Sequence, residues 1–153
     1  MVCYFVSQGA RWINNEPTRL AALKRLGKRG GAYVAIHWGM GTVEVKNIED
    51  FVNLFGGCHG GPDRKHKTLE VSISILDPSH PVCWGISTFR IYDEFYYRLK
   101  FVKPRESITP LAQTKTDGNQ EIFTWAWERS DGGRSSGFRG LHFHRNWQRE
   151  EYR

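Results

Sequence analysis

Ala32-Tyr33-Val34-Ala35-Ile36-His37-Trp38 is a continuous apolar, β-favouring run that ends in a histidine and a tryptophan. Such a run is typical of a strand that is buried on both faces of a parallel sheet. A similar run covers residues 2–6, and an amphipathic helix is predicted between the two, from about Glu16 to Lys28. Strand, helix and strand form a βαβ unit, so the sequence predicts an α/β domain.

Outside this unit the sequence predicts shorter and less regular elements. A glycine-rich stretch over residues 56–62 is expected to break regular structure. Alternating apolar residues over 69–75 predict a half-buried strand. The other predicted elements are a short helix that follows Asn47, an extended segment within 89–101, strands at 109–114, 121–127 and 135–143, and a helix that begins at Trp147.

The composition limits the classes of protein to consider. The 153 residues fit a single domain that spans 1–153. Its apolar runs are far shorter than the ~20 residues of a membrane helix, so no membrane partner is expected. The net charge of +6 is scattered, and the basic residues of the predicted helix belong to a solvated helix face. No nucleic-acid partner is therefore expected.

The three cysteines, Cys3, Cys58 and Cys83, are widely spaced and form no C-x-x-C pair. This pattern argues against a disulfide framework and against a cysteine-rich zinc site. It fits a reducing compartment, and residues 1–6 lack the features of a secretory signal. A cytoplasmic location is the resulting expectation.

Histidines at the ends of predicted elements are the first indication of a functional site. His37 ends a buried strand, and ligands of open parallel sheets bind beyond the carboxyl ends of strands. His142 and His144 are two positions apart, so on a strand they would share one face and could serve a metal ion or a proton shuttle. The alternatives are a loop-bound imidazole at His37 and two surface histidines on an edge strand.

Asp93 and Glu94 precede two tyrosines, Tyr96 and Tyr97. A carboxylate beside histidines can act as an acid or base, as a metal ligand or as an acceptor for sugar hydroxyls. Neighbouring residues of a strand face opposite sides, so at most one of the two carboxylates is expected to point into a given site. A solvated acidic turn would give the same pattern.

Five motifs in order resemble those of the trehalose-utilisation (ThuA-like) family: Gly30-Gly31-Ala-Tyr-Val-Ala-Ile-His37-Trp38, Phe55-Gly56-Gly57, His80-Pro81-Val82, Asp93-Glu94-Phe-Tyr96, and Gly133-Arg134 running into His142. The resemblance implies a flavodoxin-like fold similar to class I glutamine amidotransferases, a three-layer sandwich with a mainly parallel sheet. It also implies that the chain is truncated at both ends, lacking an N-terminal β-α-β segment and a C-terminal helix. The domain is then expected to expose apolar sheet or to pair with another chain, for example in a homo-oligomer.

The resemblance also implies a carbohydrate-related function, with trehalose or a related disaccharide or keto-sugar as the small carbohydrate partner. His37, Glu94 and His142 are the expected catalytic residues, and hydrolysis, isomerisation or elimination would each need such an acid and base. The residues expected to contact substrate are Trp38, Asp93, Tyr96 and His144. Zinc or another divalent ion is a candidate cofactor, bound by His37, His142 and either His59 or His144, with Glu94 as a fourth ligand or base.

Two alternatives remain open at this point. One is a non-catalytic carbohydrate-binding or scaffold domain whose aromatic side chains stack on sugar faces, namely Trp38, Trp84, Tyr96, Tyr97 and Trp147. The other is a hydrolase with Cys58 as nucleophile, which would need a nearby base in an electropositive setting. The adjacent His59 is poorly placed to act as this base, because the side chains of adjacent residues rarely adopt the geometry that a thiol and its base need.

We expect no glutaminase activity. In the resemblance to amidotransferases, His37 occupies the position of the nucleophilic cysteine and Asn146 replaces the glutamate of the triad. Incubation with glutamine should therefore release no ammonia above the rate without protein. Ammonia release that disappears in Cys58→Ala would contradict this expectation.

Overall fold

Two β-sheets and three α-helices make up the fold of residues 1–152, the part of the chain that this computed structural model describes. The strands are β1 (Val2–Tyr4), β2 (Tyr33–Ile36), β3 (Gly41–Thr42), β4 (Gly57–Gly60), β5 (Lys65–Ile75), β6 (Phe89–Tyr97), β7 (Lys100–Phe101), β8 (Ile108–Thr116), β9 (Asn119–Glu128) and β10 (Arg134–Phe138). The helices are α1 (Gly9–Asn14), α2 (Pro17–Gly27) and α3 (Ile48–Phe55). No helix within these residues is long and apolar enough to cross a membrane.

The βαβ unit predicted at the start of the chain is present. β1 and β2 pair in parallel, with Val2 opposite Tyr33, and α1 and α2 lie between them in sequence. Gly30 ends this helical segment with a left-handed φ of 71°, and the Gly31 amide donates to the Leu26 carbonyl. β1 lies at the edge of the described sheet, although its apolar run predicted an interior strand.

The prediction of a flavodoxin-like three-layer sandwich with a mainly parallel sheet is wrong. The larger sheet has seven strands in the order β1-β2-β10-β9-β8-β5-β6. β2 pairs in parallel with β1 and with β10, whereas the other four pairings are antiparallel. The chain is therefore a mixed, mostly antiparallel sheet with few helices.

A short connection explains why β8 and β9 pair in an antiparallel manner. Asp117 and Gly118 alone join β8 to β9, and both have left-handed φ angles, of 49° and 81°. A two-residue loop with this geometry is typical of a tight β-hairpin. Parallel neighbours would need a crossover of about a dozen residues or more. No such crossover can fit between these two strands.

Helix α3 packs on the sheet through aromatic rings. Phe51 and Phe55 stack at 4.2 Å between centroids, and both are fully buried. The indole nitrogen of Trp125 on β9 donates to the Phe55 carbonyl at 3.1 Å. Gly137 leaves room for that indole, because a Cβ at this position would overlap the ring. These contacts fix α3 against the sheet and so position the segment that follows it.

Three further local predictions are corrected by the structure. Residues 57–60 of the glycine-rich stretch form the buried strand β4, in a three-stranded sheet ordered β3-β4-β7. A Cβ on Gly57 would meet the rings of Trp125 and Phe101, so glycine is required for this close approach. The strand predicted at 135–143 ends at Phe138, and 3₁₀ turns, His144–Gln148 and Glu150–Tyr152, replace the helix predicted from Trp147.

Trp125→Ala should destabilise the fold by about 3–5 kcal/mol, because it removes a fully buried ring and leaves the Phe55 carbonyl without its donor. Trp84→Ala is the matched control: Trp84 is 68% exposed, so its removal should change the free energy of unfolding by less than about 1 kcal/mol. Urea unfolding at pH 7 measures both. Equal losses in the two variants would contradict the packing described above.

Candidate functional site

The site lies at the carboxyl ends of the parallel strands β2 and β10. The register pairs Ile36 with Phe138, so the residues that follow, His37 and Arg139, leave the sheet side by side. His37 has a left-handed φ of 47°, a conformation that costs a residue other than glycine about 1–3 kcal/mol. Strain of this kind persists where the surrounding structure holds the residue in place, and it is common at functional sites.

The protonation pattern of the His37 ring follows from its hydrogen bonds. Its Nδ1 lies 3.1 Å from the Arg139 carbonyl oxygen, which can only accept, so Nδ1 carries the proton and donates. Burial lowers the pKa of His37, which favours the neutral ring. In a neutral ring with a proton on Nδ1, the Nε2 lone pair is free to accept a proton or to bind a metal ion.

Three side chains converge on this Nε2 atom. The Tyr96 hydroxyl and His142 Nδ1 each lie 3.0 Å from it, and Glu94 Oε1 lies 3.6 Å from it. Glu94 Oε1 is also 3.5 Å from His142 Nδ1. The exposed fraction of the side chain rises from 8% at His37 to 15% at Glu94 and 42% at His142. The cluster therefore opens to solvent on the His142 side.

Asp93 organises the turn that carries His142. It is fully buried; its Oδ2 accepts the Leu141 amide at 2.9 Å, and its Oδ1 accepts the Phe143 amide at 3.2 Å. Leu141 has a left-handed φ of 79°, so the carboxylate holds a strained turn on both sides of His142. Asp93 was expected to contact substrate, but the structure places it beneath the cluster, with both oxygens bound to backbone.

Tyr96 and His59 form a stacked layer beside the cluster. The Tyr96 ring stacks on His37 at 4.6 Å and on His59 at 4.3 Å between centroids. Burial raises the pKa of Tyr96, so its hydroxyl stays protonated and can donate to His37 Nε2. Trp38 lies 5.3 Å from the Tyr96 ring, so two of the aromatic residues expected to contact substrate adjoin the cluster.

His59 does not join the convergent atoms, although it was expected as a metal ligand. Its Nε2 donates to the Lys65 carbonyl at 3.1 Å, and its buried Nδ1 has no hydrogen-bond partner among the described residues. Burial lowers the pKa of His59 to about 3. Among residues 1–152, the group whose ligand atoms lie within 4.8 Å of one another is His37, Glu94 and His142. The third member of this group is therefore Glu94, where the sequence predicted His59.

The predicted pairing of His142 with His144 is wrong. Both residues lie beyond the end of β10, where Leu141 turns the chain away from the sheet, so the alternation of a strand does not apply. His144 is exposed and begins a 3₁₀ turn. Cys58 also lies outside the cluster, fully buried in the core, and burial raises the pKa of its thiol. A buried thiol of this kind is a poor nucleophile.

Arg139 is a site residue that the sequence did not single out. Its carbonyl fixes the His37 ring, and its guanidinium is fully buried and donates to the Ile122 carbonyl. Burial lowers the pKa of Arg139 to about 10. Its backbone role depends on the register between β2 and β10, which no local motif reveals.

Comparison with known proteins identifies the family. The sequence model of the family described as "ThuA: Trehalose utilisation" matches residues 3–153. The chain belongs to the trehalose-utilisation family. No curated protein matches the sequence.

Solved structures of ThuA-like proteins share the fold. One from Bacteroides uniformis is 14% identical, aligns with a TM-score of 0.62, and is matched over 82% of this chain and 55% of its own. One from Parabacteroides merdae is 18% identical, with a TM-score of 0.63 and coverage of 78% and 53%. A cytoplasmic protein of Salmonella typhimurium is 18% identical, with a TM-score of 0.55 and coverage of 80% and 49%. The trehalose-utilisation chain described here thus spans about half the length of these structures.

The buried neutral ring of His59 should make stability depend on pH. In the folded state this ring resists protonation down to a pKa of about 3, whereas in the unfolded chain it takes a proton below about pH 6.5. The unfolded state then binds more protons, so the free energy of unfolding falls on acidification from pH 7, by at most about 1.4 kcal/mol per pH unit from this group.

His59→Gln should therefore flatten the decrease in unfolding free energy between pH 7 and pH 5, as measured by urea unfolding at each pH. His144→Gln, which removes an exposed imidazole outside the cluster, is the matched control and should keep the slope of the wild type. A slope in His59→Gln equal to that of the wild type would show that His59 is not held neutral.

Proposed function

We propose that this trehalose-utilisation chain is part of a sugar-processing enzyme in which His37, Glu94 and His142 perform acid–base chemistry on a small carbohydrate. The observation that carries the proposal is the convergence of these three residues, 37, 94 and 142, on His37 Nε2. Residues so distant in sequence meet at one point only through the tertiary fold. A cluster of titratable groups built in this way is characteristic of active sites.

His37 has the properties of a general base. Its ring is oriented by the bond from Nδ1 to the Arg139 carbonyl, and the pKa lowered by burial leaves Nε2 unprotonated. A general base must reach the proton that it removes within about 2.6–3.2 Å, directly or through one water molecule. The opening beside His142 is where a sugar carbon or hydroxyl would approach.

Glu94 and His142 complement this base. Glu94 Oε1 lies 3.6 Å and His142 Nδ1 lies 3.0 Å from His37 Nε2. A proton taken at His37 can therefore be stabilised by the Glu94 carboxylate or passed to the more exposed imidazole of His142. Hydrolysis, isomerisation and elimination at a sugar carbon all need a group that removes a proton and a group that donates one. The family's link to trehalose utilisation supports a disaccharide or keto-sugar as substrate.

The alternative, a non-catalytic carbohydrate-binding domain, is less well supported by the positions of the aromatic rings. A binding platform needs ring faces on one exposed surface. Tyr96 is only 6% exposed and is stacked on imidazoles, while Tyr97, its neighbour on β6, faces the other way and donates to Asp117. These two rings cannot belong to one open platform.

The test is turnover of a panel of sugars: trehalose, other disaccharides and their keto derivatives, followed by NMR of the products. We expect His37→Gln, Glu94→Gln and His142→Gln each to lower kcat about 100-fold or more, the usual effect of removing a general acid or base. Glu70→Gln is the matched control, since Glu70 is an exposed residue of β5 paired with Arg90. Its kcat should equal that of the wild type.

Two outcomes would contradict the proposal. Turnover by Glu94→Gln at the rate of the wild type would remove Glu94 from the chemistry. Saturable binding of a sugar without turnover of any member of the panel, in a protein of verified fold, would favour the carbohydrate-binding alternative.

A further inference from the structure

We infer that His37 Nε2, Glu94 Oε1 and His142 Nδ1 bind one zinc ion and leave a fourth coordination position open. The use of this ion in catalysis rests on the proposed function, but its binding does not. The sequence predicted Glu94 as a fourth ligand or base beside His37, His142 and either His59 or His144; the set inferred here keeps Glu94 as a ligand and omits His59 and His144. Geometry, lone-pair orientation and ligand chemistry each support the assignment.

The three atoms form a triangle of the size that tetrahedral zinc requires. Its sides are 3.0 Å from His37 Nε2 to His142 Nδ1, 3.6 Å from His37 Nε2 to Glu94 Oε1, and 3.5 Å from His142 Nδ1 to Glu94 Oε1. Ligand atoms about 2.0–2.1 Å from a tetrahedral zinc lie about 3.3–3.4 Å apart. An ion about 2.1 Å from all three atoms would sit about 0.8 Å out of their plane, close to the tetrahedral value of about 0.7 Å.

The orientation of the His37 ring is the one found in metal-binding histidines. Such a histidine donates its other ring nitrogen to a carbonyl or carboxylate, which fixes the tautomer and aims the lone pair at the metal. His37 Nδ1 makes this bond to the Arg139 carbonyl at 3.1 Å. His142 is positioned through its backbone instead, because Asp93 accepts the amides of Leu141 and Phe143 on both sides of it.

The cluster places one possible ligand atom from each of three residues around a common point. His37 Nε2 has a single lone pair, yet the Tyr96 hydroxyl and His142 Nδ1 both lie 3.0 Å from it. The Tyr96 hydroxyl also hydrogen-bonds to the Glu94 carboxylate, so this one donor lies beside two of the three candidate ligands. One ion at the centre of the triangle would serve the lone pairs of all three residues at once.

The ligand types select zinc over the alkaline-earth ions. Imidazole nitrogen suits zinc, copper, iron and nickel, whereas magnesium and calcium prefer oxygen ligands throughout. Three protein ligands with an open fourth position are typical of catalytic zinc, and four are typical of structural zinc. When bound, such an ion polarises a carbonyl or lowers the pKa of a bound water molecule. The same triad can bind ferrous iron, so iron is tested alongside zinc.

The test is calorimetric titration of zinc chloride into protein that was purified without a polyhistidine tag and treated with chelator. We expect one equivalent of zinc to bind, and Glu94→Gln and His142→Ala each to weaken the affinity about 100-fold or more. His66→Ala, which removes an exposed histidine that lies outside the triangle, is the control and should bind as the wild type does. Cobalt should give the intense visible absorption of four-coordinate sites.

Several results would overturn the inference. These are binding of less than one equivalent, equal affinity in wild type and His142→Ala with both folded by circular dichroism, and tighter binding of ferrous iron than of zinc. Stoichiometric zinc without turnover of any sugar would leave the zinc site intact and contradict the proposed function instead. Full turnover by zinc-free protein would contradict a catalytic role for the ion and leave the acid–base proposal standing.

Discussion

The parallel pairing of β2 with β10 is the constraint on which the rest of the site depends. It sets His37 beside Arg139, about a hundred positions later in the chain, and lets the Arg139 carbonyl fix the His37 ring. The chain then turns through Leu141 and presents His142 to the same point. Asp93 on β6 holds this turn in place, because its carboxylate accepts the amides of Leu141 and Phe143 on both sides of His142. Three separate segments therefore meet through hydrogen bonds between side chains and backbone.

Backbone strain occurs at one residue of the cluster and at one residue next to it. His37 and Leu141 both have left-handed φ angles, which cost residues other than glycine about 1–3 kcal/mol each. Each is held by a buried hydrogen bond, from the His37 ring to Arg139 and from the Leu141 amide to Asp93. The fold thus offsets strain at two backbone positions with buried polar contacts, and the result is a rigid placement of the two imidazoles.

The three residues of the cluster could be predicted from the sequence, but the residues that hold them in place could not. His37, Glu94 and His142 stood out because they lie at the ends of elements or in the motifs shared with the family. The supporting roles of Asp93 and Arg139 depend on backbone atoms far away in sequence, so no local pattern reveals them. The same-face argument for His142 and His144 failed because the strand ends at Phe138, before either residue.

Local patterns predicted some elements correctly and others wrongly, and the sheet topology implied by the resemblance to amidotransferases was wrong. The apolar run of β2 and the helix of residues 17–27 follow from hydrophobic pattern and helix-ending glycines. The resemblance to amidotransferases predicted a mainly parallel sheet over the whole chain. Asp117-Gly118, a typical hairpin pair between two alternating segments, already indicated antiparallel strands in the second half.

The central claim is that the fold holds His37 neutral, with its proton on Nδ1 and its Nε2 lone pair facing Glu94 and His142. Nitrogen-15 NMR of the histidine rings at pH 7, in metal-free protein and with His37 assigned through His37→Gln, tests this claim most directly. The account predicts a neutral His37 ring protonated at Nδ1 and unprotonated at Nε2. A ring protonated at Nε2, or at both nitrogens, would contradict it.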